Sequence, residues 1–195
     1  MNPAVIRVFK IPVFLICLVP LVKLVLETLG IAGLTLGANP VEELLHRFGT
    51  WGLNFLLFTL AITPLSQLTG RAWLLRFRRM LGLFAFFYVF MHFAVYAGLD
   101  QRFDLGFIVE DIAERPYITV GFSAFLLLIP LAVTSTQGMM RRLGRRWKKL
   151  HRLVYLIAIL AVWHFYWQVK LDTLEVTFYA AILAMLLGYR LWRRK

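Results

Sequence analysis

The stretch RFRRMLGLFAFFYVFMHFAVYAGLD, residues 76–100, decides the fold. It opens on Arg76, Arg78 and Arg79, runs from Met80 to Leu99 with no charged residue and a single histidine, His92, and closes on Asp100. A helix needs about 20 mostly apolar residues to cross the hydrocarbon core of a bilayer. This run has that length, with cations at one end and an acid at the other, and it reads as a transmembrane helix.

Working outward, the same template fits Lys10 to Leu29, Val41 to Leu65, Tyr117 to Ser135, His151 to Val169 and Leu174 to Leu191. The expectation is an all-α polytopic membrane protein, a six-helix transmembrane bundle forming a single domain over residues 1–195, with connections too short for a separate soluble domain. Composition agrees: 61% of the residues are hydrophobic and the mean hydropathy is +0.74, beyond the usage of a soluble domain. Arg7 and Lys10 before the first apolar run resemble the start of a signal peptide. The run lacks a small-residue cleavage site and further spans follow, so it reads as a retained first helix.

The net charge of +12 would suggest nucleic acid in a soluble protein, but here the cations cluster at the ends of apolar runs. Arg71, Arg76, Arg78 and Arg79, then Arg141 to Lys149, then Arg190, Arg193, Arg194 and Lys195 all fall on one face. Basic connections mark the cytoplasmic side, so both termini of this inner-membrane protein are expected there. The connection from Asp100 to Arg115 carries five acids against two arginines and is expected outside.

The lone Cys17 allows neither a disulfide framework nor a thiolate-bound cluster and reads as a buried spectator. Pro64, Pro116 and Pro130 are placed at or near helix ends, where a missing donor is tolerated. No internal repeat is evident. The aromatic rings from Phe84 to Tyr96 could flank a flat cofactor, although packing and interface anchoring account for most of them.

Ionisable residues in a span are functional candidates, which singles out the four histidines. His92 lies thirteen residues beyond Arg79, and His164 lies thirteen beyond His151, on helices that both run outward. At 1.5 Å per residue both sit about 20 Å above the inner boundary. Two imidazoles at one depth on different helices suit a bis-histidine b-type haem, whose six-coordinate iron carries electrons and has no open site. Each ligand must be neutral, with its other ring nitrogen bonded to a carbonyl or hydroxyl; Tyr96, Tyr155 and Thr134 are available types.

His151 lies at the inner surface, where the position of equal depth on the third helix is Arg78 or Arg79, so a second bis-histidine haem lacks its obvious partner. On a straight helix His151 and His164 would stand roughly 140° apart, and stacked haems would require an irregularity. With Arg78 and Arg79, His151 suits an inner site for a quinone, a flavin phosphate or haem propionates; a plain interfacial residue in a topology cluster is the other reading. His46, after Glu42 and Glu43, either faces water or approaches the outer haem.

Three tracts, NPVEELLHRFGTWGLNFLLFTLAITPL from Asn39, the third-helix stretch above, and RPYITVGFSAFLLLIPLAVTSTQGMMRRLGRRWKKLHRLVYLIAILAVWHFYWQVK to Lys170, resemble the MsrQ (YedZ) family. The order of polar and basic residues from Thr134 to Leu156 is the most specific part. The resemblance implies a ferric-reductase-like transmembrane domain that binds haem through His92, His151 and His164. It also implies electrons taken from the quinone pool and passed to a periplasmic molybdenum-cofactor subunit that reduces methionine sulfoxide in oxidised envelope proteins. FMN is implied by the resemblance alone, since no glycine-rich nucleotide loop is present. The rival readings are a proton-coupled transporter with Lys23 and Glu27 as an intramembrane pair, and a self-contained ferric or oxygen reductase.

Overall fold

The computed structural model describes residues 3–169 and 173–193. Lys170 at the end of the last quoted tract, the middle of the connection from Gln168 to Glu175, the side chain of Arg7, and the tail residues Arg194 and Lys195 lie outside the described residues. Among the described residues the regular structure is helical throughout. It comprises α1 (Pro3–Thr28), α2 (Pro40–Thr69), α3 (Arg78–Val95), α4 (Leu105–Glu114), α5 (Pro116–Val133), α6 (Gln137–Leu143), α7 (Arg145–Leu150), α8 (Leu153–Gln168) and α9 (Thr173–Trp192). Six stretches are long and apolar enough to cross a membrane: Val8–Thr28, Pro40–Thr69, Ala72–Asp100, Pro116–Val133, Arg145–Gln168 and Thr173–Trp192. The chain is an all-α, multi-pass membrane protein.

The ends of these spans differ from the sequence reading for local reasons. Helix α2 continues through Pro64 and stops at Gly70, whose φ of 69° is the left-handed conformation that closes helices at little cost. A π-helical turn, Tyr96–Asp100, prolongs α3. The connections also hold short helices. Asp104 caps α4 by accepting bonds from the Gly106 and Phe107 amides at 2.9 and 3.2 Å, and Thr136 caps α6 through the Met139 amide at 3.2 Å.

The chain divides into two compact units, Met1–Phe103 and Asp104–Lys195. In the first, α2 lies against α3 so closely at Gly52 that a Cβ there would stand 2.7 Å from a methyl of Val89. Tyr88 is fully buried and stacks on Phe55 at 5.1 Å, and Phe55 stacks on Phe84 at 5.6 Å. The Tyr88 hydroxyl enters the backbone ladder of α1, donating to the Cys17 carbonyl at 2.8 Å and accepting from the Leu21 amide at 3.1 Å. Those two groups are four residues apart, the spacing of hydrogen-bond partners in a helix. Phe84 and Tyr88 of the α3 aromatic run therefore serve packing here, and Cys17 is buried as expected. In the second unit α8 packs against both α5 and α9, and Arg190 of α9 donates to the Tyr155 hydroxyl of α8 at 2.7 Å.

Candidate cofactor-binding histidines

His92 stands in the last turn of α3, and its Nδ1 lies 2.8 Å from the backbone carbonyl of Leu45 on α2. A carbonyl can only accept, so Nδ1 carries the proton and donates. In the neutral imidazole Nε2 then holds the lone pair, which is the arrangement an iron ligand needs.

His164 on α8 repeats this arrangement in the other unit. Its Nδ1 lies 2.7 Å from the carbonyl of Tyr117, in the first turn of α5, and the Tyr117 ring stacks beside the imidazole with centroids 6.2 Å apart. In both units 47 residues separate the acceptor from the histidine. In both, a phenylalanine follows the histidine and a glycine, Gly49 or Gly121, stands four residues after the acceptor and against the ring. The correspondence was hidden in the sequence because few other positions match.

His151 is held differently. It ends α7, and the backbone turns at His151 and Arg152 before α8 begins at Leu153, so the straight helix assumed from the sequence is interrupted there. The imidazole lies over Trp147 with centroids 3.9 Å apart, and its Nε2 is 3.1 Å from the Thr134 hydroxyl. That hydroxyl donates to the Pro130 carbonyl at 2.6 Å, so it accepts from His151, and Nε2 is the protonated nitrogen. The Trp147 indole donates to the Thr134 carbonyl at 3.0 Å, which ties α7 to the end of α5. His151 thus presents the tautomer opposite to that of His92 and His164. Of the hydroxyls considered from the sequence, Thr134 meets His151 and Tyr155 meets Arg190, while the two deeper histidines use backbone carbonyls.

Arg78, half-buried, and Arg79, exposed, begin α3 in the first unit. His46 is half-buried on α2. Beside it is a cluster only partly legible in the sequence: Arg47 donates to Glu27 at 2.5 Å and to Glu43 at 2.6 Å, while Lys23 is 3.8 Å from Glu27. The Glu43 and Arg47 pair is readable from its four-residue spacing. The link to Glu27 needs α1 beside α2.

Six apolar spans, with His92 and His164 bonded within them to backbone carbonyls, define a multi-pass membrane protein that carries histidines in its spans. The chain matches the family described as ferric reductase like transmembrane component over residues 48–162. Among curated relatives, a protein-methionine-sulfoxide reductase heme-binding subunit MsrQ of Xanthomonas euvesicatoria is 62% identical over 159 residues, 82% of this chain and 73% of the relative. The protein of that name from Xanthomonas campestris has the same identity and coverage. The one from Ralstonia nicotianae is 50% identical over 197 residues, 98% of this chain and 88% of the relative. No solved structure matches. The chain belongs to the MsrQ family.

Proposed function

We propose that this chain is the haem-binding membrane electron-transfer subunit of a methionine sulfoxide reductase system, and that His92 and His164 are residues that would hold the iron of b-type haem. The observation that carries the reading is the shared presentation of the two imidazoles: each Nδ1–H is fixed to a backbone carbonyl and each Nε2 keeps its lone pair. When bound, the haem would supply one-electron redox chemistry. The protein's part is to hold both rings neutral and oriented, and to keep water away with apolar helix faces.

In the same reading the whole chain acts as one ferric-reductase-like domain, in a bacterial inner membrane with both termini cytoplasmic. A quinol is the electron donor, and a periplasmic molybdenum-cofactor subunit is the acceptor that reduces the sulfoxide. His151 serves the inner end of its unit, and Arg78 and Arg79 are cationic groups at the start of α3. The Nε2–H of His151 is taken by the Thr134 hydroxyl, so the neutral ring has only Nδ1 as an acceptor, which suits the hydroxyl of a quinol. FMN finds cations here but no glycine-rich cradle for its phosphate.

The test is an oxidised and dithionite-reduced absorption spectrum of the detergent-purified chain, with a pyridine-haemochrome count. Sharp b-type bands at about one haem per chain are expected. A count near two would bring His151 in as a ligand. Reproducible absence of haem, after expression with adequate haem supply, would overturn the reading and favour a proton-coupled transporter.

A further inference from the structure

In an α-helix the side chain at a given position covers the surface over the preceding turn, because Cα–Cβ bonds tilt toward the N-terminus. A side chain at position 49 would therefore lie over the Leu45 carbonyl, and one at position 121 over that of Tyr117. Both positions are glycine, and both carbonyls bond an imidazole.

The clearance is quantitative. A Cβ built on Gly121 would stand 2.7, 2.8 and 2.9 Å from Nδ1, Cε1 and Cγ of His164, closer than real contacts allow. A Cβ on Gly49 would stand 3.1 and 3.3 Å from Nδ1 and Cε1 of His92. By contrast, a Cβ on Gly188 of α9 would meet nothing within 4 Å. Neither Gly49 nor Gly121 has a positive φ, so no backbone strain calls for glycine at either place. The space is taken by the imidazole.

We propose that Gly49 and Gly121 are positioning residues for His92 and His164: each uncovers the helix carbonyl that fixes its histidine's tautomer and ring plane. This rests on the reading of the two histidines as ligands. It adds that ligand orientation is set by the absence of a side chain on the facing helix, once in each unit. Gly121 is the stricter of the two.

The experiment uses the full-length chain carrying Gly121→Ala, Gly49→Ala or, as control, Gly188→Ala. It measures haem retention, midpoint potential and the low-temperature electron paramagnetic resonance spectrum of the oxidised protein, whose g-anisotropy reports the planes of the axial imidazoles. Gly121→Ala is expected to weaken haem retention by about ten- to a hundred-fold, the usual effect of disturbing a ligand's hydrogen-bond partner, and to shift the g-values and the potential. Gly49→Ala shifts them less, and Gly188→Ala leaves them unchanged. Full occupancy with wild-type spectrum and potential in Gly121→Ala would overturn the proposal.

Should Gly121→Ala insert poorly, a cycle with His164→Ala decides the matter without haem. Alanine is the better helix former, so at 121 it is expected to lower thermal stability only while the His164 ring is present. Equal losses in both backgrounds would overturn the positioning role. Full haem in both His92→Ala and His164→Ala would sink the ligand reading alone, and the cycle would then decide the role of Gly121 by itself.

Discussion

Replacing Tyr88 by phenylalanine removes one oxygen from the fully buried core of the first unit and leaves every ring contact in place. The hydroxyl makes two hydrogen bonds, to the Cys17 carbonyl at 2.8 Å and from the Leu21 amide at 3.1 Å. At about 0.5–1.5 kcal/mol net for each bond, the loss is about 1–3 kcal/mol if α1 stays where it is. The assay is reversible unfolding of the purified protein in mixed micelles, alongside the haem absorption spectrum. Stability indistinguishable from wild type would refute the claim that this hydroxyl pins α1 to α3. A loss above about 4 kcal/mol would refute the additive bond estimate and point to a collapse of packing.

Other expectations follow from the same geometry. His92→Ala or His164→Ala removes most bound haem while the chain remains inserted, whereas His151→Ala spares some haem and slows reduction by quinol; a haemochrome count and stopped-flow reduction separate the two patterns. Thr134→Val deletes the acceptor of His151 Nε2–H and is expected to slow quinol reduction with haem content unchanged, as the same traces would register. Glu27→Gln weakens a buried carboxylate's pairing with Arg47, which keeps Glu43, and a loss of about 1–3 kcal/mol is expected in micelle unfolding, below the full cost of stranding a buried charge. Lys23→Met breaks only the 3.8 Å contact of a largely exposed ammonium and is expected to change stability by about 0–1 kcal/mol. Asp104→Ala removes the cap of α4 at a cost of about 1 kcal/mol, visible as faster amide exchange at Gly106 and Phe107.

The six spans were legible because crossing a bilayer is a local demand: length and apolarity within one stretch settle it, and the interrupted ladder at Pro64 or the turn at His151 shifts only the ends. That His92 and His164 fall inside apolar spans was equally legible, since it needs only the local sequence around each. What the letters did not carry was rotation. Which face of α3 meets α2 decides that His92 finds the Leu45 carbonyl, and which face of α8 meets α5 gives His164 that of Tyr117. Docking of α1 on its neighbours likewise decides that Arg47 reaches Glu27 and that Tyr88 enters α1. Each of these bonds joins residues 20 to 71 positions apart, and each depends on how two cylinders pack. Hydropathy measures only transfer into lipid and is blind to that angle, whereas close approach at Gly52, Gly49 and Gly121 sets it.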